Sequence, residues 1–177
     1  MKYYYSQNIS RYEKMRRLGV EAWADETYGG TDYADFSSKP FLDDVVPRLR
    51  FAEPDRTALE LGCGVGPGAI YLTGSGFKVS GIDLIPEAIE QARKIATDLH
   101  LEIQYDVLDV TEIPRIGPHF DLIVDSYCLQ SIVLDEDREA VLSAVKSRLA
   151  PTGYYLVSTA MYVEHRHRPQ EKVVDGD

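Results

Sequence analysis

Apolar and polar positions fall into a recurring order along this chain: a short apolar run, a turn marked by glycine or proline, then a longer stretch with helical spacing. Residues 57–61 read as a strand, and Ala69-Ile70-Tyr71-Leu72 lies in a helix expected over 67–75. A second strand is expected over 78–83, a helix opened by Pro86 over 86–99, and a third strand over 102–106. A loop with Pro114, Gly117 and Pro118 leads to a strand over 120–125, a helix over 135–149 and a strand over 153–160. Upstream, Ile9, Tyr12, Met15, Leu18 and Ala22 recur at helical spacing within residues 6–28, with Gly19 as a break and Gly29-Gly30 as the end. The segment beginning Pro40-Phe41-Leu42 reads as a helix leading into the first strand. This alternation predicts an α/β fold: a doubly wound, mostly parallel sheet with helices on both faces and a ligand at the carboxyl ends of the strands. The chain divides into residues 1–39, a core over 40–160 and a charged tail over 161–177, with no internal repeat or low-complexity segment.

The chemistry concentrates where the first strand ends. Glu60 stands near that end, and glycines follow at 62, 64, 66 and 68, where the backbone is free to turn and to approach a ligand closely. The helix after the turn would aim its free N–H groups at the same place. The second strand ends in Asp83, 19 residues after Gly64, the separation at which a neighbouring parallel strand brings a carboxylate to a ribose. Asp83 is also positioned to cap the helix that Pro86 opens, and the two roles are compatible. Gly64-Val65-Gly66-Pro67-Gly68-Ala69 fits the G-x-G-x-x-A pattern of a nicotinamide-dinucleotide site, so an NAD(P)-binding oxidoreductase domain is an alternative. Two features oppose it. Glu60 would place a negative charge beside a pyrophosphate, and nearly sixty residues precede the loop. A carboxylate there suits a ligand bearing positive charge, such as an amino acid ammonium or a sulfonium.

Composition narrows the partners. The 177 residues carry 29 acids against 19 bases, a net charge of −10, and no basic stripe interleaved with aromatics. Such a chain repels polyphosphate, so no nucleic acid is expected and a small-molecule substrate is. No run of about 18 apolar residues occurs, so no membrane span is expected. The first residues lack the apolar core of a signal peptide, which predicts a cytoplasmic location. The two cysteines, Cys63 and Cys128, make neither a disulfide framework nor a metal cluster, so no metal is expected. His165 and His167 lie in the charged tail, where solvation is the simpler role.

At the level of motifs, Glu60-Leu61-Gly62-Cys63-Gly64-Val65-Gly66 resembles the first motif, E/D-x-G-x-G-x-G, of class I S-adenosylmethionine-dependent methyltransferases. Val79 to Leu84 is similar to their second motif, Tyr105 to Val110 to the segment that reads the adenine, and Phe120 to Gln130 to the fourth-strand motif. The likeness covers residues 40 to 160 with the motifs in order. It implies S-adenosyl-L-methionine as cofactor, S-adenosyl-L-homocysteine as product, and methyl transfer to a small-molecule acceptor. Glu60, Cys63 and the backbone of Gly62 and Gly64 would face the methionine portion. Asp83 would hold the ribose, with Leu84 against the adenine. Asp106 would accept from the adenine amino group, with Val107 N–H donating to the ring; Asp106 is otherwise a strand-end turn residue. The backbone at Asp125 and Ser126 would meet the amino acid end. Residues 1–39 would form a helical cap over the cofactor site, with Trp23 and Tyr28 as aromatic candidates for the substrate side. Tyr127 and Gln130 would line the acceptor side. Gln130 stands where many relatives carry histidine, so no histidine-dependent step is implied and no catalytic acid or base is named.

The family's sheet has seven strands, and residues 161–177 are too few for the last two. The expected fold is therefore a methyltransferase-type sheet without its final hairpin. A bare fifth strand would favour a homodimer through the uncovered edge. It also leaves open a non-catalytic methyltransferase-like binding subunit.

Overall fold

The computed structural model describes residues 36–52 and 54–160, together with Ile9 and Glu13, which are helical. The expected cap, with Trp23 and Tyr28, and the tail from residue 161 lie outside the described residues. Helix α1 (Lys39–Val45) runs into a 3-10 turn (Val46–Arg48). Then follow β1 (Thr57–Leu61), α2 (Pro67–Gly74), β2 (Lys78–Asp83), α3 (Pro86–Asp98), β3 (Ile103–Val107), β4 (Phe120–Ser126), α4 (Asp135–Arg148) and β5 (Leu149–Ser158). All five strands are parallel, in the order β3-β2-β1-β4-β5. The chain order reverses at β1, so β1 and β4 part their following loops at the switch point where ligands bind in such sheets. In register, Leu61 stands beside Ile82 on one side and Asp125 on the other.

Two apolar layers hold the sheet. On one face Ala58, Val79, Tyr105, Leu122 and Val124 pack with Leu42 of α1, Ala69 and Leu72 of α2, and Ile89, Ala92 and Ala96 of α3. The buried alanines 88, 92 and 96 repeat every four residues and let α3 lie close to the strands. On the other face Leu59, Leu61, Ile82 and Ile123 pack with Val141, Ala144 and Val145 of α4. Helices thus cover both faces as expected, but unequally. The crossover from β3 to β4 has no α-helix. It contains a 3-10 turn (Val110–Glu112) and the proline-bounded loop 113–119. The far face of β1, β2 and β3 consequently carries a groove of about 750 Å³ lined by Lys78, Ser80, Gln104 and Asp106, among others. Strand β5 begins at Leu149, directly after α4, where the sequence pattern suggests 153; an irregularity in register against β4 near Phe120 absorbs the difference. Among the described residues the sheet ends at β5.

Candidate functional site

Strand β1 delivers Glu60 and the chain then turns through glycines into α2. Gly62 takes a left-handed φ of 61°, and a Cβ there would stand 2.7 Å from Cys128 Sγ. Gly62 therefore answers both to the turn and to the segment after β4. Gly68, in the first turn of α2, has its Cα against Glu60, since a Cβ would stand 2.1 Å from Glu60 Oε1. That absent side chain makes room for the carboxyl group.

Glu60 is 2% exposed, and its Oε2 has no hydrogen-bond partner among the described residues. Burial pushes its carboxyl group up to about 8; the Ala69 N–H pulls it down, and the charges of Asp83 and Asp125 push it further up. A buried carboxyl with an open oxygen behind a backbone turn is a receptor for a cationic donor. Asp83 is buried at the end of β2. Gly64 N–H donates to its Oδ2 (2.8 Å) and Ile85 N–H to its Oδ1 (2.9 Å). It therefore ties the glycine turn to the start of α3, and burial raises its pKa in spite of these donors. Cys63 is buried beneath the turn and its N–H donates to Ile82 O, so only its backbone belongs to the turn's surface. Leu84 follows Asp83 and is half-buried.

Asp125, 1% exposed, ends β4 with its carboxylate turned to its own chain. Cys128 N–H donates to its Oδ1 (2.8 Å), Leu129 N–H donates to it as well, and Tyr155 Oη donates to its Oδ2 (3.2 Å). This fastening sets the turn that carries Ser126, Tyr127 and Cys128. Ser126 Oγ accepts from Ser38 Oγ (2.8 Å), which joins the segment before α1 to the site. Gln130 Oε1 accepts from Ala160 N–H (2.8 Å), so its amide is engaged with the end of β5. The Cys128 thiol is held well above its ordinary range by burial and then by the charges of Asp125, Asp83, Asp109 and Glu60. The charges of all four carboxyl groups thus reach the segment after β4.

The structure gathers Glu60, Gly62, Cys63, Gly64, Asp83, Leu84, Asp125 and Ser126 at the carboxyl ends of β1, β2 and β4. Asp106, expected to accept from the adenine amino group, is not among them. It pairs in register with Ile82, which packs on the α4 face; it accepts from Gln104 Nε2 (2.9 Å), and it lines the far-side groove. Beyond β3 the next acid is Asp109, not singled out among the expected site residues, whose charge acts on the Cys128 thiol. Its Oδ1 accepts from Thr111 N–H (2.9 Å), capping the 3-10 turn beyond the strand. A sequence signal existed: alternation places Gln104 and Asp106 on one face, opposite buried Tyr105. Val107 pairs with Asp83 and is 48% exposed at the sheet's edge strand. Ser38 carried no signal in the sequence. Among the described residues no group of His, Cys, Asp and Glu could hold a metal ion.

The fold and this site define a nucleotide-cofactor domain of the methyltransferase type. The sequence profile described as "Methyltransferase domain" matches residues 58–153, more than half of the chain, and the chain belongs to that family, the class I S-adenosylmethionine-dependent methyltransferases. A ubiquinone biosynthesis O-methyltransferase of Xanthomonas campestris is 30% identical over 119 residues, covering 67% of this chain and 48% of that one. An S-adenosyl-L-methionine-dependent Diels-Alderase of Talaromyces variabilis is 40% identical over 112 residues, covering 63% and 37%. The crystal structure of an S-adenosylmethionine-dependent methyltransferase from Clostridium acetobutylicum superposes with a TM-score of 0.59 at 22% identity, over 86% of this chain and 56% of that one, and shows the shared fold. The chain spans about half the length of the curated relatives it matches.

Proposed function

We propose that the chain binds S-adenosyl-L-methionine across the carboxyl ends of β1, β2 and β4 and transfers its methyl group to a small-molecule acceptor. The unpartnered, buried Oε2 of Glu60 carries this reading. It suits the cofactor's ammonium, and it argues against NAD, whose pyrophosphate would meet a carboxyl group. The backbone of the Gly62 and Gly64 turn, with Cys63 beneath it, faces the methionine portion. Asp83 keeps acceptor capacity for ribose hydroxyls beyond its two backbone bonds. Leu84 and Val107 offer apolar surface to the adenine, and Asp109, in place of Asp106, supplies the acceptor for its amino group. Asp125 acts through the turn it fastens; the backbone at Ser126 faces the amino acid end.

When bound, the cofactor supplies a methyl carbon on a positively charged sulfur, and its departure leaves a neutral thioether. The chain's own task is to hold that carbon in line with an acceptor's lone pair and to exclude water. Tyr127 and Gln130 stand on the acceptor side of the mouth, with Trp23 and Tyr28 as further candidates. The four carboxyl groups whose charges reach the segment after β4 and the net charge of −10 support a small acceptor over a nucleic acid. A cytoplasmic setting agrees with this chemistry, and no described helix is long and apolar enough to cross a membrane.

Calorimetric titration with S-adenosylhomocysteine and with NAD, side by side, tests the assignment. Tighter binding of NAD overturns it. A second reading is a cofactor-binding subunit without turnover. Cofactor binding without methyl transfer to any of a panel of phenols, amines and thiols would support that reading.

A further inference from the structure

Resting on the cofactor reading above, we propose that Tyr127 recognises the positive charge on the cofactor's sulfur with the face of its ring. Two non-glycine residues among those described have a left-handed backbone, His100 (φ 55°) and Tyr127 (φ 65°). His100 ends α3: its N–H donates to Thr97 O and the next N–H, of Leu101, to Ala96 O. A left-handed residue is routine in such a helix-ending turn. Tyr127 follows a strand, where a bulky residue in this conformation costs energy that glycine would not.

The surroundings impose the conformation. Tyr127 N–H donates to Ser158 O (2.9 Å), Ser126 is tied to Ser38, and Asp125 fastens Cys128 and Leu129 on the other side. What the protein gains is the position of the ring. The residue is half-buried, yet its ring joins neither apolar core. Among the described residues it stacks on no other ring and its hydroxyl makes no hydrogen bond. Packing therefore does not explain it. One residue further on, Cys128 Sγ lies against Gly62, so Tyr127 is borne on the segment that abuts the glycine turn.

The side chains set at the neighbouring strand ends are acidic: Glu60, Asp83 and Asp125, the unpartnered Oε2 of Glu60 among them, and among the described residues no basic side chain bonds to any of the three. An aromatic face added to such a place attracts a cation. Substrate and product of methyl transfer differ there by one methyl and one positive charge. A ring at Tyr127 would hold the charged donor and release the neutral product.

The test compares S-adenosylmethionine with S-adenosylhomocysteine by calorimetry at pH 8 for the wild type, Y127F, Y127L and Y127G. Y127L and Y127G are expected to lose about two- to thirty-fold in affinity for the charged donor, the range of a cation–π contact, and to keep the thioether within about twofold. Y127F is expected to retain both affinities. Because glycine suits the backbone, Y127G should melt no lower than the wild type, which secures the fold. Equal losses for the two ligands, or no loss in either variant, overturn the inference. If the wild type binds neither ligand, the cofactor reading itself fails, a result distinct from failure at Tyr127.

Discussion

Replacing Glu60 by glutamine should make the free protein more stable at neutral pH and worse at holding its cofactor. The carboxyl group is fully buried and its pKa stands near 8 against an ordinary 4.5. Between those values the folded chain keeps a proton that the unfolded chain has released. Stability therefore falls as pH rises from about 4.5 to about 8, and is flat on either side. The slope is ~1.4 kcal/mol per pH unit, so at pH 7 the wild type has lost about 3 kcal/mol relative to acid conditions. Glutamine has nearly the shape of the protonated acid and no such proton to lose. It can still accept from Ala69 N–H, and its NH2 replaces an oxygen that already lacks a partner. Urea or thermal unfolding of both forms from pH 5 to 9 reads the difference. The gap should widen in favour of E60Q up to about pH 8; about 3 kcal/mol amounts to roughly 10 °C for a domain of this size. Asp83 and Asp125 also titrate upward, but they are common to both forms, so the difference isolates Glu60.

The same substitution removes the charge that meets an ammonium, so affinity for S-adenosylhomocysteine should fall about 10- to 100-fold at pH 8. In the wild type that affinity should rise with pH up to about 8, with a proton released on binding; in E60Q it should be flat. Parallel stability profiles for the two proteins, or an E60Q that is less stable at pH 8, would show that Glu60 is ionised in the fold and would refute the reasoning.

Other substitutions probe the rest of the site and its scaffold. Asp109→Asn keeps a capping side chain but removes its charge, and should weaken S-adenosylhomocysteine binding about tenfold, whereas Asp106→Asn should leave it unchanged; the reverse ranking restores Asp106 to the site. Gly62→Ala should destabilise the fold by about 1–3 kcal/mol, and C128G should recover part of that loss in a double-mutant cycle, because the new Cβ meets the Cys128 side chain. Additive effects would deny the contact. Arg148→Met should cost about 2–4 kcal/mol, since Arg148 is 8% exposed and its Nε and Nη1 donate to Pro118 O and Pro114 O. A melting temperature within 2 °C of wild type, on the scale of under about 1 kcal/mol, would refute it.

Much of the frame was legible because each strand announces itself. Residues 57–61 and 78–83 appear with the bounds expected, because a glycine or acid closes each run and Pro67 or Pro86 opens the next helix. The role of Gly68 was only half visible. Its freedom to turn was readable, but the reason it lacks a side chain is the buried head of Glu60 eight residues earlier. The contact of Ser38 with Ser126 spans 88 residues and leaves no local trace. Asp125 looked like a backbone contributor, and its side chain proved to be the clamp of the following turn, which no spacing rule reveals.

The choice between Asp106 and Asp109 follows from the missing crossover helix. A parallel strand covered on both faces reads as a continuous apolar run. Here β2 (Lys78-Val79-Ser80-Gly81-Ile82-Asp83) and β3 (Ile103-Gln104-Tyr105-Asp106-Val107) alternate instead. Lys78, Ser80, Gln104 and Asp106 occupy one side, and the groove on that side is where a β3–β4 helix would otherwise lie. Polar side chains there make the helix dispensable, and Arg148 holds the loop that replaces it, stacked over Phe120 at 5.3 Å. Asp106 is thus part of the solution to an uncovered sheet. An acid that belongs to a wetted face cannot also turn to the mouth, because a strand's side chains keep their side. In the proposed site the task falls to Asp109, the next acid beyond the strand's end, where the backbone has left the pleat; its charge acts on the Cys128 thiol as those of Asp83, Asp125 and Glu60 do.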